Sequence, residues 1–187
     1  MTGIKLLLTL SVLFIVSGCT LSNYYVLSTA SQPKESYSYK SQVIGVEKVT
    51  LPEYLFKREI AVARSSSQVT FLSGSQWAED MDAGLTRRLI AFLQKKFQHP
   101  GVYAYPWGTD SQPDIKINVQ VTRFIAQEGT VYLDASWEAR EMRTDKRVLK
   151  LFSTTVPTKE DAGSIVDAMD SAFAQLEAEV ARGVKEL

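Results

Sequence analysis

From residue 115 the chain alternates residue by residue: Ile115, Ile117, Val119 and Val121 are apolar, whereas Lys116, Asn118, Gln120 and Thr122 are polar. A period of two fits a strand with one face buried and one face wet. After Gln127-Glu128-Gly129-Thr130 the alternation resumes with Val131, Leu133, Ala135 and Trp137 against Tyr132, Asp134, Ser136 and Glu138. Thr144-Asp145-Lys146 then leads into a third run, Val148 to Val156. Three consecutive strands joined by short polar turns predict an antiparallel meander. Its apolar face needs a cover.

Two segments at helical period can supply that cover. Trp77, Met81, Leu85, Leu89, Phe92 and Leu93 share one helical face, with Glu79, Asp80, Arg87 and Arg88 largely off it. With Ser75 as N-cap and Pro100-Gly101 as the stop, the spacing predicts a helix over about residues 76–98. The second helix follows Thr158-Lys159-Glu160-Asp161, in capping-box spacing, with Ile165, Met169, Phe173, Leu176, Val180 and Val184 as its stripe. Upstream, short strands are expected at Asn23-Tyr24-Tyr25-Val26-Leu27, Gln42 to Val49, Arg58 to Arg64 and Val69 to Leu72, with Pro52 breaking the second. Thr29 to Lys40 is a polar loop in which Tyr37 and Tyr39 serve as anchors. The expected fold is α+β: a largely antiparallel sheet with two long amphipathic helices packed on one face.

Composition excludes some functions. Lysine plus arginine equals aspartate plus glutamate at 21 each, so no long-range field steers the chain onto nucleic acid. A soft-ligand metal site is not expected, because Cys19 is the sole cysteine. The one histidine, His99, stands before Pro100-Gly101 at the predicted helix end, where an imidazole caps or faces water. No Gly-x-Ser-x-Gly elbow, phosphate-binding loop or His-Glu-x-x-His pair occurs. The acids Glu79, Asp80 and Asp82 spread around a helix, and Glu160 and Asp161 belong to a helix first turn, where they meet the macrodipole. No catalytic, cofactor-binding or metal site is expected, although two acids of a hydrolase can lie far apart in sequence. Trp77 and Trp137 read as core. Trp107, in Tyr103-Ala104-Tyr105-Pro106-Trp107-Gly108, is the aromatic best placed for an exposed contact.

The N-terminus is different in kind. Lys5 precedes an apolar run, Leu6 to Val16, whose eleven residues would make a helix of about 17 Å, roughly half the hydrocarbon thickness of a bilayer. A basic start, a short apolar stretch and the small residues Ser17 and Gly18 are the parts of an export signal. Val16-Ser17-Gly18-Cys19 resembles the lipobox of bacterial lipoprotein precursors. That resemblance implies cleavage before Cys19, an S-diacylglycerol thioether on it and N-acylation of its new amino group. The expected organisation is a signal peptide at 1–18, a lipidated N-terminus and tether at 19–22, and one domain over 23–187. Four residues reach at most about 14 Å. The domain is therefore held against its membrane.

Asn23-Tyr24-Tyr25-Val26-Leu27 soon after that cysteine, Val46-Glu47-Lys48-Val49-Thr50-Leu51-Pro52-Glu53-Tyr54-Leu55, and Trp77-Ala78-Glu79 opening a helix together resemble the ABC-type transport auxiliary lipoproteins. Many relatives carry an Asp-Arg-Pro-like turn where this chain has Phe56-Lys57-Arg58-Glu59. The resemblance implies a non-enzymatic component of a lipid-transport route between two membranes. Its partners would be an MCE-domain tunnel protein and that protein's integral inner-membrane partner, and it could self-associate as a homo-oligomer. Thr20 follows the cysteine, whereas lipoprotein sorting retains proteins in the inner membrane chiefly when aspartate stands there. The expected location is thus the outer membrane, with the domain facing the periplasm. A lipid-binding carrier and an envelope hydrolase on the same anchor are the alternatives.

Overall fold

The computed structural model describes residues 22–27, 29–37, 42–108 and 112–187. Cys19 and Tyr39 lie outside the described residues. The strands are β1 (Asn23–Tyr25), β2 (Ile44–Val46), β3 (Glu59–Ala63), β4 (Val69–Trp77), β5 (Val102–Ala104), β6 (Ile115–Gln127), β7 (Thr130–Glu141) and β8 (Arg147–Pro157). A 3-10 turn spans Glu53–Phe56, and the helices are α1 (Met81–Phe97) and α2 (Ala162–Lys185). The fold is α+β, as the alternating strands and two helical stripes predict.

β6 is the trunk of an eight-stranded sheet. One edge pairs antiparallel with β7 along its whole length, from Ile115 opposite Glu141 to Gln127 opposite Thr130, and β7 pairs likewise with β8. These long ladders are the predicted meander. The other edge of β6 is shared. Its start takes β2 in parallel, Ile44 opposite Ile115, and its end takes β3 in parallel, Val62 opposite Ala126. From β2 the sheet continues to β5, and from β3 through β4 to β1. The parallel pairings are only two or three residues long.

The fork follows from the chain between β2 and β3. Pro52 cannot donate to a ladder, so the backbone leaves the sheet after Thr50 bridges Gln120 and enters the 3-10 turn. The turn places the Tyr54 hydroxyl where it accepts the Phe124 N–H at 3.0 Å, a donor of the trunk that neither neighbouring strand reaches. At the same place β6 carries a bulge between Val121 and Arg123. The bulge turns both Val121 and Phe124 inward, although three positions separate them.

The inner face of β6 and β7 is Ile117, Val119, Val121, Phe124, Leu133, Ala135 and Trp137, each buried. Leu85, Leu89 and Leu93 of α1 and Ile165, Phe173 and Leu176 of α2 join the same core. α2 lies directly on β7: a Cβ at Gly183 would overlap the Trp137 indole, so only glycine lets the helix approach this closely. The capping box expected from Thr158 does not form: α2 starts three residues later than that spacing predicts, Asp161 is its N-cap and accepts from the Ser164 N–H at 2.8 Å, and Glu160 precedes the helix rather than standing in its first turn.

α1 departs from its prediction at its start. Trp77 ends β4 rather than opening the helix, and Ser75 is a buried strand residue rather than the cap. Trp77 stands opposite Tyr25 of β1, and its N–H donates to the Arg58 carbonyl at 2.6 Å. Those distant partners prolong the strand, and the helix starts only after Asp80. At its far end α1 stops at Phe97 because Gln98 takes a left-handed conformation, φ 51°, two residues before Pro100.

Candidate interaction surface

The residues with chemistry in the sequence do not converge. His99 Nδ1 accepts the Gly101 N–H at 3.0 Å and so closes a local turn. Glu79 pairs with Arg87, Asp80 lies 4.0 Å from Arg58, and Asp82 is buried with Lys48 Nζ at 2.5 Å. Asp82 is thus not on a solvated face, but each acid of the group has its own cation. At the other cluster Asp161 caps α2 and Glu160 is exposed. Among the described residues no group of three or more His, Cys, Asp or Glu is placed to hold a metal ion. None of the helices among them is long and apolar enough to cross a membrane.

Trp77 and Trp137 are core residues, 3% and 1% exposed. Trp107 is half-buried and packs over Gly45, where a Cβ would stand 2.8 Å from the indole and 2.7 Å from Pro113. Its Nε1 donates to Gln112 at 3.2 Å, and Tyr105 meets it edge-on at 5.0 Å between centroids. Trp107 therefore holds the corner together, and the aromatics left in solvent are Tyr103 and Tyr105. An open cleft of about 750 Å³ lies here, lined by Val43, Tyr103, Pro106 and Trp107. Tyr37 is an anchor: its ring packs on Phe97, with Lys96 Nζ at 4.0 Å and Lys185 Nζ at 4.5 Å from its centroid.

One cluster was not expected. Arg88 is fully buried, not off the apolar face of α1. Its Nε donates to Glu177 at 3.1 Å, and its terminal nitrogens donate to Glu177, the Asp170 carboxylate, the Asp170 carbonyl and the Leu27 carbonyl. All five guanidinium N–H groups are used. Ser31 donates to Glu177 at 3.1 Å, and the guanidinium lies 5.4 Å from the Phe173 centroid. Burial pushes the Glu177 carboxyl up to about 7, against the lowering pull of Arg88 and Ser31. This node joins α1, α2 and the segment after β1. The signal was position: Arg88 stands seven residues after Met81 and four before Phe92, and Glu177 four after Phe173, so both occupy stripe positions.

The surface also carries unpartnered apolar side chains. β8 is an edge strand whose Val148, Phe152 and Val156 pack inward. Leu149 and Leu151 point to the open face and are 70% and 89% exposed. Lys150 between them reaches back to Glu179 of α2 and to Glu186 just past its end, at 3.6 and 3.1 Å. The layer between helices and sheet, where a carrier's groove would open, is filled by Leu85, Leu89, Phe124, Phe173 and Leu176. What this fold and surface define is an α+β domain with a filled core and apolar side chains exposed on its edge strands. The chain belongs to the ABC-type transport auxiliary lipoprotein components, whose family model matches residues 25–181. It is a transport-associated lipoprotein.

The particular likeness is to the protein named Intermembrane transport lipoprotein PqiC. This chain is 27% identical over 194 residues to that of Escherichia coli (strain K12), covering 98% of both chains, and equally so to that of Shigella flexneri. The fold recurs in protein XCC0632 of Xanthomonas campestris, with a TM-score of 0.74, 15% identity and coverage of 88% and 94%. A second crystal structure, of an uncharacterized protein, has a TM-score of 0.72 at 23% identity, covering 88% of this chain and 99% of its own.

Proposed function

We propose that this protein is an outer-membrane-anchored adaptor of an intermembrane lipid-transport route. In this reading residues 1–18 are removed and Cys19 bears the S-diacylglycerol and N-acyl groups. Residues 19–22 are the tether and 23–187 the domain facing the periplasm. Its role is to receive an MCE-domain tunnel protein, whose integral partner sits in the inner membrane, and so to contribute to membrane integrity. The observation that carries the reading is likeness along nearly the whole of both chains to a protein named for intermembrane transport. Two features support a binding role over a chemical one: the acids are dispersed into separate ion pairs, and leucines and tyrosines stand in solvent on edge elements. Self-association as a homo-oligomer would use the same kind of surface.

The experiment is crosslinking in intact cells followed by identification of captured proteins. Capture of an MCE-domain protein supports the adaptor, and its absence from the captured set under conditions that preserve the complex overturns it. The anchor is tested separately. Cys19→Ala should stay uncleaved and take up no labelled fatty acid. Thr20→Asp should move protein toward the inner membrane with domain stability within about 0.5 kcal/mol of wild type. A Thr20→Asp protein found wholly in the inner membrane that still complements fully would refute the outer-membrane receiver.

A further inference from the structure

Tyr24 and Val26 are 65% and 48% exposed, and Val69 and Phe71 are 38% and 42% exposed. All four lie on the face of the sheet that the helices leave open. Tyr25 and Trp77, paired across β1 and β4, pack into the helix-covered core, so their neighbours Tyr24 and Val26 point the other way. Phe71 and Val69 stand opposite Ala61 and Ala63, which form a small open-face cluster with Ile125. The four side chains therefore make one apolar margin along β1 and β4.

The strand directions say what this margin faces. β1 runs parallel to β4, β4 antiparallel to β3, and β3 parallel to β6. Walking back from Asn23 thus leads toward the sheet end where β6 finishes, past the residues of β4 that precede Ser75. Asn23 is opposite Ser75, and because β4 bulges between Gln76, opposite Glu59, and Phe71, opposite Ala61, Phe71 lies only about two strand positions further along that direction. Cys19 lies four residues before Asn23, within about 14 Å. A lipid on Cys19 is consequently within reach of the level of Phe71. The interfacial zone adds about 5–8 Å on each side of the hydrocarbon, where aromatic rings are favoured.

We infer that the β1–β4 margin, through Tyr24, Val26, Val69 and Phe71, seats in the headgroup region of the bilayer that holds the Cys19 lipid. The inference rests on the lipidation reading given above. It turns the anchor from a leash into one part of a two-point attachment that fixes the orientation of the domain. Tyr103 and the turn around Arg143 are at the other sheet end, because β2 and β5 pair with the start of β6 and Glu141 faces Ile115. Seating the margin leaves that end projecting into the periplasm.

The test uses the full chain purified from membranes. Once Cys19 is acylated it has no free thiol, so a cysteine introduced by Tyr24→Cys, Phe71→Cys, Tyr103→Cys or Arg143→Cys is the only one that takes a bimane label. Each protein is reconstituted in phosphatidylethanolamine and phosphatidylglycerol vesicles with or without brominated acyl chains. Acylation is read by mass on the same sample, and circular dichroism confirms the fold. The expected result is a blue shift and strong bromolipid quenching at 24 and 71, with neither at 103 and 143. Acylated protein with no quenching at 24 and 71, or equal quenching at all four sites, overturns the seating while leaving the anchor intact. A blue shift at 24 and 71 without quenching assigns the margin to a second copy or another protein and also overturns it. An unacylated mass overturns the lipidation reading and the seating with it.

Discussion

The two faces of the sheet are built from the same strands yet break the pattern of burial in opposite ways. The helix-covered core is built mainly of apolar side chains, and Arg88 and Glu177 are the charged residues within it that have no exposure at all. On the open face apolar groups enter water at Leu149 and Leu151 and along the β1–β4 margin. The dry exception is satisfied inside the chain, by five donated hydrogen bonds and the Ser31 hydroxyl. The wet exceptions have no complement within it. A charge in a core costs several kcal/mol unless its partner is present, whereas a leucine on a surface costs little folding free energy. The first kind of exception is about holding the fold, and the second is available for contact.

The sharpest way to break the comparison is at the dry exception. Arg88→Ala should cost about 3–5 kcal/mol in a denaturant melt, because it leaves the buried Glu177 carboxyl and the Leu27 carbonyl without their donor. Arg88→Met combined with Glu177→Leu should recover most of that loss, since apolar replacements carry no desolvation cost. If the double variant is as unstable as the single one, the node is not a charge-pairing device. Trp77→Ala should cost a similar amount, about 3–5 kcal/mol, by emptying a buried aromatic site. A change under about 1 kcal/mol with altered partner capture would make Trp77 a contact residue instead.

The same node predicts a pH dependence. The Glu177 carboxyl is raised from its ordinary 4.5 to about 7, so the folded protein holds that proton more tightly than the unfolded chain. Its contribution is fully present below pH 4.5 and is lost as pH rises through about 7. Relative to Glu177→Gln, wild type should therefore lose stability between those limits, by on the order of 3 kcal/mol at most. Parallel melts of the two proteins check it: a flat difference would show that the pull of Arg88 balances burial, and a wild type that gains stability as pH rises would show that it outweighs burial.

Smaller effects belong to the periphery. Asp161→Ala should cost about 1 kcal/mol, the usual loss for an N-cap, and should fray the start of α2 in hydrogen exchange. Leu151→Ser should change stability by less than about 0.5 kcal/mol. If instead it destabilises strongly, the open face is not free surface, and the contrast between the two faces fails.

Much of this architecture was legible because it is local. The alternation at 115–121 and 131–137 is set by residues two apart, and the α2 stripe by residues three and four apart. The site was less legible. Trp107 stood out as an isolated aromatic, but its role over Gly45 depends on a strand sixty residues away. Arg88 looked like a surface charge because its partner is 89 positions distant. Residue type alone gave no sign that the stripe position carried a paired charge.

By itself the sequence determined the strand periods of the meander, the two helical stripes and the resemblance carried from Asn23 through Trp77. Each follows from neighbours within one or two turns, where geometry is fixed by the backbone. The tertiary structure alone decided that Trp77 continues a strand, that β6 shares one edge between β2 and β3, and that Arg88 meets Glu177. These depend on which distant donors and acceptors must be paired once water is excluded, and a backbone group or buried charge has no partner until the whole chain is assembled.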